Sequence, residues 1–236
     1  MRFSLSVLIL CLGTIGGANA APITWSSAQD TTSSAATDII DGGAVVVAFN
    51  GAFTTGAVPD VTLDGVTFTK PPVSDFLGQT FPSAPAEQLG VNTTGDADYD
   101  TLLNHAGVVD VATSPDVSGA NADAVYTISG LTDGVDYLIQ VWYTEERAGS
   151  ETRAMTFGDN EGVPSSILVA GQGTNGFGQF VTGSFTASGT TQDLSILATD
   201  AGRSHATALL VREVPEPTSL ALLSLSALMC ARRRRA

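Results

Sequence analysis

Apolar and polar positions alternate with a period of two through most of the chain, and short groups of turn residues separate the alternating runs. This alternation is typical of β-strands, whose successive side chains point to opposite faces of a sheet. In Tyr137–Tyr143 the odd-numbered positions are all apolar, and the other face carries Leu138 and Trp142. Because both faces are apolar, we predict that this strand is central and covered on both sides.

Runs of the same kind predict strands through the whole middle of the chain. They are expected at Ala44–Phe49, Val61–Leu63, Val66–Phe68, Ala124–Ser129, Tyr137–Tyr143, Arg153–Phe157, Ser166–Val169, Gln179–Thr186, Asp193–Ala198 and Ala206–Arg212. Helical periodicity is confined to one short helix at Tyr99–His105. Short strands without crossover helices predict an all-β fold, an antiparallel β-sandwich. A jelly roll is the preferred topology, and an immunoglobulin-like sandwich is the alternative.

Two hairpins are predicted within this series. Asp64-Gly65 supplies the positive φ angles that a two-residue turn requires, so the flanking strands should pair. The strands Ala124–Ser129 and Tyr137–Tyr143 are expected to form a second pair around Gly130–Gly134.

The N-terminal end is typical of a secretory signal peptide. Arg2 precedes an apolar stretch, and Ala18 and Ala20 form the small-x-small pattern of a cleavage site. The stretch is too short to span a bilayer of roughly 30 Å. We therefore expect residues 1–20 to be a signal helix, with the mature chain starting near Ala21.

The C-terminal end combines a proline-bracketed tripeptide, an apolar run and a basic cluster. Pro215, Glu216 and Pro217 precede Leu220–Cys230, and the chain closes with Arg232, Arg233, Arg234, Arg235 and Ala236. Proline cannot continue a strand, so the tripeptide should end the folded domain. The apolar run is expected to form a helix that anchors the chain in the membrane, transiently or permanently, with the arginines on the cytoplasmic side.

This tail closely resembles the PEP-CTERM sorting signal, also called the ice-binding protein C-terminal motif, of exported proteins in exopolysaccharide-making Gram-negative bacteria. The resemblance implies recognition by exosortase, a membrane protease-transpeptidase. The stretch from Tyr126 to Val211 is also similar to a module of PEP-CTERM proteins of planctomycete type, which implies a sandwich similar to galactose-binding domains. We expect a signal peptide at 1–20, a β-sandwich at 21–213 and the sorting signal at 214–236.

Charge and cysteine content differ between the ends and the domain. The chain has 24 acidic and 10 basic residues and a net charge of −14. The ends hold five basic residues and one acidic residue, which leaves five against 23, or −18, for the domain. Such a surface excludes nucleic acid as a partner. The two cysteines, Cys11 and Cys230, lie outside the domain, so it should contain no disulfide.

Catalytic motifs are missing from the sequence. It contains no G-x-S-x-G elbow, no zinc-protease motif and only two histidines, His105 and His205. These absences predict a non-catalytic protein. A glycoside hydrolase stays open as an alternative, because its two carboxylates are brought together only by folding. Glu145, Glu146 and Glu151 are the candidates.

A loop before the predicted helix carries alternate carboxylates. Asp96, Asp98 and Asp100 have the spacing with which an irregular loop can bind Ca²⁺. The full EF-hand pattern fails, since Thr101 stands where a glycine is required. The alternative is that Asp100 caps the helix. Calcium is the one candidate cofactor of the chain.

Candidate ligand-binding residues follow the predicted central strand. Trp142, Tyr143, Glu145, Arg147 and Arg153 combine aromatic rings with charged groups, as sugar recognition requires. The alternative is that Trp142 fills the core and the arginines pair locally with glutamates.

The sequence thus favours an exported, non-catalytic β-sandwich with a structural or adhesive role at the cell surface or in the exopolysaccharide matrix. A carbohydrate-binding module is the first alternative and a glycoside hydrolase the second. The expected partners are the export machinery, exosortase and extracellular polysaccharide.

Overall fold

The structure is a computed structural model that describes residues 22–50, 59–70, 86–87, 89, 91–108, 123–146, 152–159, 167–199 and 205–215. Its strands are β1 (Thr24–Trp25), β2 (Gln29–Asp30), β3 (Val45–Asn50), β4 (Val61–Leu63), β5 (Val66–Phe68), β6 (Ala86–Glu87), β7 (His105–Val108), β8 (Asp123–Ser129), β9 (Asp136–Tyr143), β10 (Ala154–Gly158), β11 (Ile167–Ala170), β12 (Gln179–Thr186), β13 (Thr191–Ala198), β14 (His205–Ala206) and β15 (Ala208–Glu213). The helices are α1 (Ala35–Asp38) and α2 (Ala97–Asn104).

Two antiparallel sheets pack face to face. Sheet A has six strands in the order β1-β12-β9-β15-β3, with β2 also pairing with β12. Sheet B has four, in the order β11-β10-β13-β8. Side chains from both sheets form one buried cluster between them, which confirms the predicted all-β antiparallel sandwich. Two small sheets, β14-β7-β6 and β4-β5, accompany them.

Strand β9 lies in the middle of sheet A, and it is buried on both faces from Ile139 to Tyr143 but partly open at Asp136 and Leu138. Its odd-numbered side chains enter the cluster between the sheets. Trp142, on the other face, belongs to a second cluster with α1, α2 and the β4-β5 hairpin. We call this face, which points away from sheet B, the outer face of sheet A. The prediction of a central strand is confirmed, and the predicted cover on both sides holds from Ile139 to Tyr143.

The first predicted hairpin is confirmed and the second is wrong. Asp64 and Gly65 have φ angles of 46° and 74°, and β4 pairs with β5 across them. Strand β8, however, pairs with β13 in sheet B, whereas β9 pairs with β12 and β15 in sheet A. The chain crosses between the sheets because Leu131 is buried in the core between them. A hairpin would have left this leucine at a solvent-exposed turn.

Helix α2 starts two residues before the predicted helix because Asp96 caps it. The Asp96 Oδ1 atom accepts the backbone N–H groups of Asp98 and Tyr99 at 3.0 and 3.2 Å. Asp100 is therefore not the cap. Within the described ranges no helix is long and apolar enough to cross a bilayer. The predicted signal helix, with Ala18 and Ala20, and the predicted C-terminal helix lie outside those ranges.

Candidate functional site

The aromatic pair chosen from the sequence is buried. Trp142 has no exposed surface, and its ring centroid lies 6.0 Å from that of Phe68 and 6.1 Å from that of Phe180. Tyr143 is equally buried on the opposite face of β9. Neither ring is available to stack on a sugar, so the pair belongs to the two cores. This is the alternative that the apolar periodicity left open.

Glu145 and Arg153 form an ion pair at the end of β9. The Arg153 Nη1 atom lies 3.6 Å from the Glu145 Oε2 atom, and the arginine side chain is 29% exposed while the glutamate is fully buried. Gly171 joins the two segments, since its carbonyl accepts the Glu145 N–H at 2.8 Å and its N–H donates to the Arg153 carbonyl at 3.0 Å. The pair therefore stabilises a corner of the sandwich. Arg147 lies outside the described residues.

The structure does not bring the three aspartates of the candidate calcium loop together as a group of metal ligands. Within the described ranges no three acidic, histidine or cysteine side chains are placed to hold a metal ion. Asp96 caps α2, and Asp100 accepts the Thr93 Oγ1 at 2.5 Å and the Thr94 N–H and Oγ1 at 2.7 and 2.6 Å. Burial raises the pKa of the Asp100 carboxyl, but these hydrogen bonds outweigh it and hold the pKa below its usual range.

A buried polar network that the sequence did not predict lies between the outer face of sheet A and the two helices, α1 and α2, that cover it. The Tyr99 hydroxyl and the Thr32 N–H both donate to the Asp38 Oδ2 atom at 2.7 Å. Burial, and next the Asp38 carboxylate, raise the pKa of Tyr99 far above its usual value, while the Trp142 indole acts in the opposite direction. Gln140 joins this network to β9, donating to the Asp38 carbonyl at 2.6 Å. Gln140 is an isolated polar residue between apolar neighbours in β9, and this was the one feature of the sequence that could have indicated the network.

The described residues cover the outer face of sheet A over the Trp142 half of β9 and leave the Leu138 half open. In β9, Trp142 is buried under the hairpin and α2, whereas Leu138 is half-buried and Asp136 is exposed. Two adjoining cavities of about 510 and 520 Å³ lie over this open half, and Thr24, Leu138 and Ser184 line both. Together they form a trough across β1, β12 and β9. The two acidic residues of its lining, Asp41 and Asp136, lie far apart in the chain, so no local sequence pattern predicts the trough.

The domain leads directly into the C-terminal segment. Strand β15 lies between β9 and β3 and ends at Glu213, and the Val214 N–H then donates to the Asp136 carbonyl at 2.9 Å. Residues 213–235 match the PEP-CTERM protein-sorting motif. This match confirms the sorting signal, which includes Pro215, Glu216, Pro217 and the four arginines. A PEP-CTERM motif implies an exported protein that exosortase processes.

Comparison of the whole chain with known proteins adds likenesses of fold. No curated protein matches the sequence. Among solved structures, the chain is similar to CBM35 from Cellvibrio japonicus Abf62, with 14% identity over 59% of this chain and 90% of that one and a TM-score of 0.33. A family 35 carbohydrate binding module from an environmental isolate matches with 13% identity, 60% and 96% coverage and a TM-score of 0.34. Bacteroides uniformis β-glucuronidase matches with 14% identity, 72% and 18% coverage and a TM-score of 0.44, so the chain spans under a fifth of that enzyme.

Proposed function

We propose that this chain is a non-catalytic structural or adhesive protein, which exosortase delivers to the cell surface or the exopolysaccharide matrix. The observation that carries the proposal is the direct junction between β15 and the sorting motif, both of which include Glu213. With no spacer between them, the sandwich itself is the cargo. Its domain charge of −18, five basic against 23 acidic residues, favours a solvated matrix over a phosphate-rich surface.

The arrangement of Glu145 supports a non-catalytic role. A glycosidase needs two carboxyl groups facing a cleft, whereas Glu145, one of the three candidates, is fully buried and paired with Arg153. A carboxylate held in this way has no access to a glycosidic bond. Of the other two candidates, Glu146 is half-buried and Glu151 lies outside the described residues. Carbohydrate binding without hydrolysis is the second candidate function, and the trough on sheet A is the observation that favours it.

The sorting proposal is tested by fractionation of cells of an exosortase-containing host. The triple variant Pro215→Ala, Glu216→Ala, Pro217→Ala should be exported but should accumulate in the cell envelope, while the unaltered chain reaches the surface and the matrix. Glu213→Gln, at the first position of the motif but outside the tripeptide, is the matched control and should be sorted normally. Equal distribution of the triple variant and the unaltered chain would refute the proposal.

A further inference from the structure

We propose that the trough on the outer face of sheet A binds a chain of an uncharged polysaccharide. This inference rests on the proposed delivery to the polysaccharide matrix and adds a site and a ligand class to it. The trough is the open half of the outer face, bounded by Ile40 and Asp41 on one side and by Pro22 and Val214 at its end.

The shape of the trough suits an extended polymer. The two cavities of about 510 and 520 Å³ share walls and follow β12 from Thr182 to Thr186. Four steps along a strand of about 3.3 Å each give a length of roughly 13 Å, longer than one sugar ring. Each cavity has the size of an ordinary ligand site. The trough is open toward solvent, so a chain can enter it from the side.

The lining of the trough combines hydroxyl groups with apolar surface. Hydroxyl side chains lie along it, contributed by Thr24, Ser26, Thr182, Ser184 and Thr186. The Ser26 and Thr182 hydroxyls bond to each other and Thr186 donates to Asp136, so Thr24 and Ser184 are the two that carry the proposed contact. Leu138 and Ile40 supply apolar surface between them. A sugar ring has the matching surface, because its C–H faces pack on apolar side chains while its hydroxyls donate and accept hydrogen bonds. Thr24 and Ser184 are exposed and lie opposite each other in the β1-β12 register.

Charge selects among polysaccharides. Among the described residues that line the trough none is Lys or Arg, whereas Asp41 and Asp136 are both present and exposed. A uronic acid or a sulfated or phosphorylated sugar would meet these carboxylates. The neighbouring cation Arg212, the register partner of Leu138, already donates its Nη1 and Nε groups to the Ile40 and Gly43 carbonyls. The same two carboxylates can accept hydrogen bonds from neutral hydroxyls. The lining therefore favours an uncharged chain and disfavours an acidic one.

The test is affinity gel electrophoresis of the purified full chain in gels that contain galactomannan, mixed-linkage β-glucan or alginate. We expect retardation by at least one of the two uncharged polymers and none by alginate. Ser184→Trp fills the trough at an exposed strand position and should weaken the retardation at least tenfold. Thr191→Trp is the matched control, since Thr191 is an exposed threonine at the start of β13 in sheet B, and it should bind normally. Thermal melting followed by circular dichroism establishes that both variants are folded.

Three outcomes would overturn the inference. The first is an absence of retardation by both uncharged polymers, and the second is undiminished binding by a folded Ser184→Trp variant. The third is a protein partner in place of a glycan, which would appear as a dimer of the unaltered chain that Ser184→Trp dissociates. None of these affects the fractionation experiment, so the sorting proposal and the trough proposal fail separately. Asp41→Asn should permit weak retardation by alginate if charge causes the exclusion.

Discussion

Replacing Trp142 by alanine distinguishes between two roles of this side chain, packing in the core and binding of a sugar. The side chain is fully buried between Phe68 and Phe180, with centroid distances of 6.0 and 6.1 Å. Truncation of a buried tryptophan removes its transfer free energy and leaves a cavity, at a total cost of about 3–5 kcal/mol. Since domains of this size unfold with about 5–15 kcal/mol, this loss is a large part of the total.

The assay is urea unfolding of the full-length chain, followed by far-UV circular dichroism. Trp25→Ala is the matched control for stability alone, because Trp25 is the other tryptophan of the chain and is only half-buried, but it lines the trough. Its truncation should cost about 1–2 kcal/mol. Each variant leaves one tryptophan, and Trp142 should be the one that an aqueous quencher reaches less easily. The reasoning is refuted if Trp142→Ala unfolds within about 1 kcal/mol of the unaltered chain while its affinity for polysaccharide falls tenfold.

Further predictions concern the hydrogen-bonded side chains of Asp100 and Tyr99 and the glycine Gly171. Folding lowers the pKa of Asp100 from 3.8, so the ionised Asp100 carboxylate stabilises the folded state above that pH, and this contribution is lost as the pH falls through the folded pKa. In acid unfolding curves, the difference in stability between the unaltered chain and Asp100→Asn should therefore shrink toward zero. Because the pKa of Tyr99 is raised in the folded state, its neutral hydroxyl stabilises the fold below pH 10, and this contribution is lost as the pH rises above 10. In an ultraviolet titration, Tyr99 should therefore ionise only when the protein unfolds. Tyr99→Phe should remove that part of the alkaline dependence and cost about 1–3 kcal/mol at neutral pH. Gly171→Ala would place a Cβ 2.5 Å from the Glu145 Cβ and should lower the free energy of unfolding in urea by about 1–3 kcal/mol. Gly42→Ala is the control: its Cβ would meet only the Arg212 side chain, at 3.1 Å, so the loss of stability should be smaller.

Strand positions were predictable because the period-two signal is local. Strand β12 has the predicted bounds, Gln179–Thr186, and the Asp64-Gly65 turn forms where its φ requirement indicates. Pairing is not local. The segment between β8 and β9 has the glycines of a hairpin loop, yet burial of Leu131 in the core between the sheets takes the chain from one sheet to the other. Only the packed structure contains that information.

The roles of the acidic residues depended on which backbone groups lie near them. Asp96 and Asp100 belong to the same pattern of alternate carboxylates, but Asp96 accepts hydrogen bonds from amides of α2 and Asp100 accepts them from Thr93 and Thr94. The sequence spacing that suggested calcium is equally compatible with both roles. The trough was harder to predict, because it exists only where α1 and the hairpin stop covering sheet A. The position of that boundary depends on tertiary packing. Nothing in the sequence around Leu138 distinguishes this residue from the buried leucines of other strands.

The placement of the sorting motif after β15 connects the two proposals mechanically. A force on the tail acts on Val214 and hence on a strand that is bonded to β9 on one side and to β3 on the other. Pulling this strand out requires two hydrogen-bonded ladders to break together, whereas an edge strand would be held by one. A polysaccharide in the trough would contact β1, β12 and β9, and β9 is the direct neighbour of β15. The load between a bound chain and the attachment point would then pass through adjacent strands of a single sheet, an arrangement suited to an adhesive protein.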